Sequence, residues 1–180
     1  MTATTVKQIE EAIRRFVDQY ADRTSKEPVA NRPNNKGQIE VATDAGRSAM
    51  ERVTNAQDAV IEFEHARHNG TPVCRTPREA SSAWLGVPEE GLSGLTSKQR
   101  RELAKRVTVR LLNGEDKHSR LFEVVDQGIG IRPQDLKRTI LSLGESNKIQ
   151  KHYLAGVYGQ GGSSTLAFSR FGFCPTFTDT

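Results

Sequence analysis

The sequence predicts a single domain of the α/β class. Three observations predict it. Apolar residues recur at steps of three and four over 5–21 and again over 44–68, the period of amphipathic helices. Alternating apolar residues over 107–111 and an apolar run over 121–125 flank turn residues, the signature of a β-hairpin. A glycine cluster over 156–162 opens a further apolar helix. The 180 residues are 35% hydrophobic, which is enough for one core and not for two.

The first helix, over 5–21, carries Val6, Ile9, Ile13, Phe16, Val17 and Tyr20 on one side and Lys7, Glu10, Glu11, Arg14, Arg15 and Asp18 on the other. Such a stripe packs on its own domain or serves as a dimerisation arm. Residues 22–42 hold Pro28, Pro33 and Gly37 and read as a polar loop. A second helix begins at Thr43 or Asp44, both good caps, and runs to about His68, where Asn69-Gly70 ends it. Residues 71–97 are rich in Pro, Gly and Ser and read as an insertion with a short helix around 77–85. Thr96 or Ser97 caps another short helix to about Lys105. After the hairpin, Pro133 stands at a first helical position, with Leu136, Ile140, Leu141 and Leu143 behind it. Residues 144–158 read as a loop, and the tail over 171–180 as the start of a strand. The domain organisation is therefore an N-terminal helix and polar loop over 1–43, then the main domain over 44–180.

Three constellations carry chemistry. Glu51, Asn55 and Asp58 lie four and three residues apart, on one face of the second helix. An amide oxygen at Asn55 can complete an octahedral Mg²⁺ shell shared with phosphates and waters. A carboxylate one turn away, at Glu51, can orient and deprotonate an attacking water. The same spacing also occurs on an ordinary solvent-facing helix. Next, Val124-Val125-Asp126-Gln127-Gly128-Ile129-Gly130 delivers a carboxylate from a strand into a turn. A buried carboxylate that only accepts hydrogen bonds suits the amine of adenine, and glycines let backbone approach a flat ring. The alternative is a strand that ends in a common Gly-rich turn. Third, Gly156 to Thr165, with Gly159, Gly161, Gly162 and Ser163, offers free backbone N–H groups at a helix start, an anion site that fits a triphosphate. It is neither a Walker loop nor a dinucleotide-binding fingerprint, and a flexible linker is its plain alternative. Lys148, in the loop upstream, can reach a phosphate or simply stay solvated.

In that order the three segments resemble the GHKL ATPase superfamily of gyrases, heat-shock chaperones, histidine kinases and MutL proteins. Glu51 to Ala59 is similar to its asparagine box, Asp126 to Gly130 to its first glycine box, and Gly156 to Ser164 to its second glycine box and lid hinge. Ser142 to Lys148 resembles the pre-lid segment of microrchidia and chaperone-like members. The resemblance covers about residues 44–170. It implies a Bergerat-type fold, a two-layer α/β sandwich with helices on one face of a mixed sheet, which the tail after Pro175 would leave incomplete. It also implies an Mg²⁺-dependent ATPase whose lid closes over ATP, within a larger machine that dimerises as a homodimer through the N-terminal region and works with further C-terminal domains or partner proteins.

By motif position the resemblance makes Glu51 the general base, Asn55 the magnesium ligand and Asp126 the adenine anchor. Gly128 and Gly130 match the adenine loop, and Gly159, Gly161, Gly162 and Ser163 the phosphate-binding end. It gives Asp58 no role. Asp58-Ala59 sides with the gyrase, chaperone and MutL branches rather than the kinases. No histidine sits in a phosphoacceptor helix: His65, His68, His118 and His152 read as scattered surface residues. A second reading keeps the nucleotide and drops hydrolysis, leaving a binding switch or interaction module; a third, compatible with either, is a protein that handles nucleic acid such as DNA.

Charge and composition narrow the setting. The net charge is +4, which permits a nucleic-acid partner without requiring one. Its densest run, Lys98, Arg100, Arg101, Lys105 and Arg106, also reads as a solvated helix face. Cys74 and Cys174 lack metal-ligand spacing and read as reduced thiols. Neither an apolar signal run in 1–11 nor a bilayer-length apolar stretch is present in the sequence, so a cytoplasmic protein without a membrane partner is expected.

Overall fold

A computed structural model of the chain describes residues 6–23, 44–113, 117–118, 120–135, 151–156 and 168. These residues form a mixed α/β arrangement of four helices and a two-stranded antiparallel sheet. The order is α1 (Val6–Gln19), α2 (Ala45–Arg67), α3 (Pro77–Leu85), α4 (Ser97–Ala104), β1 (Val107–Asn113) and β2 (Arg120–Asp126). Short 3₁₀ turns lie at Ala21–Arg23, Gly91–Gly94 and Pro133–Asp135. A helix was expected from Pro133; the structure has a 3₁₀ turn at Pro133–Asp135, and residues 136–143 lie outside the described residues. The expected strand after 171 and the helix start at the glycine cluster lie outside the described residues.

Helix ends follow local chemistry. Asp44 caps α2, its carboxylate accepting from the amides of Gly46 and Arg47. Asn69 and Gly70 then turn the chain with positive φ. Thr76 caps α3, with Pro77 at the first turn and Gly86 in the left-handed region just past its end. Thr96 and Gln99 form a reciprocal capping box at the start of α4.

Helix α2 organises the rest, contacting α3 and both strands. Its buried line runs through Ser48, Ala56, Asp58, Val60, Ile61 and Glu64. Val60 and Ile61 are the large apolar residues of this line, whereas Met50 lies off it and is 60% exposed. Small Ser48 and Ala56 allow close packing there, and the two buried acids are hydrogen-bonded. Glu64 accepts from Arg67 at 3.0 Å and forms an ion pair with Arg106 at 2.9 Å, and the second contact ties α2 to the residue just before β1. A buried acid is tolerated when donors compensate its lost hydration.

The core gathers Ile61 of α2, Cys74, Ala80 and Trp84 of α3, and Leu154, with Leu85 and Tyr153 packed on it. Trp84 also donates its indole N–H to the Thr71 carbonyl at 3.2 Å. The 71–97 segment, expected to be an insertion, thus supplies three of the core's buried side chains. His65, expected at the surface, is half-buried: its ring stacks on Tyr153 at 4.6 Å and meets Trp84 edge-on at 5.3 Å.

The hairpin pairs Val107 with Asp126 through to Asn113 with Arg120. Directly opposed residues share a face, so Val109, Leu111 and Phe122 lie together, and all three are exposed. Ile13, Phe16 and Val17 of α1 are exposed too. The basic run of α4 is partly neutralised, with Lys105 paired to Glu102 and Arg106 to Glu64. Among the described residues no helix is long and apolar enough to cross a membrane.

Candidate nucleotide-binding site

Helix α2 presents Glu51 and Asn55 one turn apart, with Ala59 a further turn on. Each turn advances the side chains by about 6 Å along the axis. Glu51 and Asn55 are both half-buried. Among the described residues the Glu51 carboxylate meets no cation.

The turn after β2 lands on this face. Gly128 lies so close to α2 that a β-carbon there would sit 2.5 Å from the carbonyl carbon and the β-carbon of Ala59. The Ile129 amide donates to the Ala59 carbonyl at 3.1 Å. The Gln127 amide continues the hairpin ladder by donating to the Arg106 carbonyl at 2.9 Å. Gly130 takes a φ of 68°, in the left-handed region that favours glycine. The two glycines of the turn therefore serve different needs: Gly128 permits close approach and Gly130 permits the bend.

Asp126 stands at the mouth of this turn. One carboxylate oxygen accepts the Gly128 amide at 2.9 Å. A buried carboxylate was expected here, and the structure shows an exposed one. The strand ends at this residue, and the described residues do not cover it.

The segment 151–156 reaches α2 from the next side of the helix. Asp58, only 1% exposed, accepts the amide of Ala155 at 2.8 Å and that of Gly156 at 3.0 Å, one on each oxygen. Lys151 forms an ion pair with Glu62. Tyr153 stacks on His65, and its phenol is pushed up from its ordinary value of 10.0, first by burial and then by the Glu62 charge.

One helix thus gathers two of the three predicted constellations and the approach to the third. Asn55, Asp58 and Ala59 lie within two turns of one another. The turn of Asp126, Gly128 and Gly130 docks at Ala59, and Gly156, three residues before Gly159, docks at Asp58. Lys148, Gly159, Gly161, Gly162 and Ser163 lie outside the described residues.

Asp58 is the residue that sequence reasoning left without work. Its signal was present: an acid three residues before core Ile61, on the inward side of the helix.

Among the described residues no three His, Cys, Asp or Glu side chains gather as an all-protein metal cage. A nucleotide-borne Mg²⁺ needs no such cage. It keeps waters and phosphate oxygens as ligands and takes few oxygens from protein. The half-buried Asn55 amide, one turn from Glu51 and beside the docked turn, fits that demand. A separate cavity of about 600 Å³ lies around Cys74, His65 and Tyr153 and contains none of the predicted site residues. Cys74 there is a buried thiol, pushed above its ordinary 9.0 first by burial and then by Glu79. No family model, curated protein or solved structure matches this chain.

Proposed function

We propose that the chain is an ATP-binding module that hydrolyses ATP with Mg²⁺, built as a two-layer Bergerat-type sandwich and working within a larger dimerising assembly. The observation that carries this reading is the docking of two separate loop segments on one helix, about one turn from Asn55 and two turns from Glu51. Gly128 is seated against Ala59 and Gly156 against Asp58.

In this reading the Asp126 carboxylate takes the amine of the adenine, and Gly128 and Gly130 keep side chains out of the ring's way. Gly159, Gly161, Gly162 and Ser163 offer backbone N–H groups to the phosphates, assisted by Lys148. Asn55 would hold the magnesium, which when bound neutralises phosphate charge. Glu51 holds the attacking water and takes its proton. The exposed Ile13, Phe16 and Val17 of α1 support the N-terminal region as the homodimer arm.

Titration with ATP and magnesium tests the site. Asp126→Asn replaces one acceptor by a donor facing the adenine amine. It should weaken binding about tenfold or more, the worth of a charge-assisted hydrogen bond. An unchanged dissociation constant removes the adenine role. Glu51→Ala should bind ATP as the parent does and release no phosphate in a single turnover, since a positioned base contributes roughly 10²–10⁴-fold. Equal turnover in parent and variant defeats the assignment. Tight binding by the parent without any phosphate release would instead identify a switch.

A further inference from the structure

We infer that Asp58 is a positioning residue for the phosphate end of the site. It holds the chain that enters the glycine cluster against the helix bearing Glu51 and Asn55. The inference rests on the nucleotide-binding reading above and adds a residue that itself touches no nucleotide.

Asp58, Glu62 and His65 follow one another on α2 at steps of four and three, so they form a strip along one helix face. Each grips the same short segment. Asp58 takes the amides of Ala155 and Gly156, Glu62 pairs with Lys151, and His65 stacks on Tyr153. Leu154, 4% exposed, inserts into the core between these contacts. The segment is therefore fixed by backbone, charge, ring and apolar contacts within six residues.

Asp58 is the end of the strip nearest Asn55, about 4.5 Å along the helix axis. Gly156 is the last described residue of the segment and the first of the glycine cluster. Three further residues span at most about 11 Å of extended chain, so Gly159 is tethered within that reach of a fixed amide. The tether sets how the phosphate-binding amides are offered to a nucleotide whose magnesium Asn55 would hold.

The side chain suits the task. A carboxylate accepts through both oxygens at once, whereas an amide places a donor against one of the two N–H groups. A charge buried to this degree is costly unless it is satisfied. The two backbone donors contribute to that satisfaction while the segment stays docked.

The test compares ATP with adenosine, which shares the base and lacks the phosphates. Asp58→Asn preserves shape and removes one acceptor. In the full chain with magnesium it should weaken ATP binding about tenfold, the worth of one charge-assisted hydrogen bond, and leave adenosine affinity unchanged. Amide exchange at Ala155 and Gly156 should quicken in the same variant. Equal loss of both ligands marks a merely structural residue and overturns the inference, as does no loss of either.

If the parent binds neither ligand, the nucleotide reading fails and this inference fails with it. If the parent binds both and the variant does the same, only the Asp58 role falls. Should Asp58→Asn not fold, Lys151→Met loosens the same clamp from its exposed end. It should shift the ATP-to-adenosine ratio in the same direction by a smaller factor, and an unshifted ratio overturns the inference.

Discussion

At Gly128 the chain has no room for a β-carbon, since Ala59 backbone stands 2.5 Å from where it would lie. Gly128→Ala must therefore push the turn off α2 or bend the helix. Overpacking of this kind costs about 1–3 kcal/mol, and it should also lengthen the Ile129–Ala59 hydrogen bond. A lowered melting temperature with weaker ATP binding is expected, and an unchanged melting temperature would show that the turn does not dock this closely. The glycine turn itself was legible in the sequence, because a strand followed by Asp-Gln-Gly-Ile-Gly is a local signal. Its partner was not, because nothing near Gly128 in the chain names Ala59. The two acids show the same limit. Asp126 was expected to be buried and is exposed, whereas Asp58 had no assigned role and is buried. Whether an acid can be buried depends on donors nearby in space, and those of Asp58 lie 97 and 98 residues away.

Among the elements, those with strong local punctuation were the most legible. The caps at Asp44, Thr76 and Thr96 and the left-handed Gly86 fix helix ends within a few residues of expectation. The packing of α3 was not legible. Its nine residues give only Ala80 and Trp84 as a buried pair four apart, too short a pattern to show an apolar face. Its partner surface belongs to α2 and to Tyr153, so a Pro-, Gly- and Ser-rich setting concealed a core element. Trp84 packs edge-on against both His65 and Tyr153 and holds the Thr71 carbonyl. Trp84→Ala should cost about 3–5 kcal/mol, the range for deleting a large buried aromatic side chain. Chemical denaturation followed by far-ultraviolet circular dichroism measures it. A loss below about 1 kcal/mol, the size of a typical surface change, would return the 71–97 segment to the status of an appendage. The basic run on α4 loses force for a related reason: Arg106 is committed to Glu64 and Lys105 to Glu102. Charge read along a sequence counts both cations as available, and their partners reduce that count.

For the molecule as a whole, one cluster joins α2, α3 and the segment 151–156, and two titratable groups of that cluster are held protonated. The Cys74 thiol and the Tyr153 phenol are both raised above their ordinary values of 9.0 and 10.0 by burial, with Glu79 and Glu62 adding to it. Unfolding exposes both groups, which then lose their protons at the ordinary values. Above pH 9.0 the folded state therefore binds more protons than the unfolded state, and stability falls as pH rises. The contribution is fully present at neutral pH and is lost through the alkaline range, first from the thiol and then from the phenol. Lysine ion pairs weaken in the same range, so the phenol must be isolated. Tyr153→Phe keeps the ring on His65 and Trp84 and removes only the titrating group. Melting temperatures measured from neutral pH upward should fall beyond pH 9.0 in the parent and fall less steeply in Tyr153→Phe. Parallel curves for the two proteins would show that the phenol is no better shielded in the folded chain than in the unfolded one. The docking of Ala155 and Gly156 on α2 would then lack its aromatic anchor.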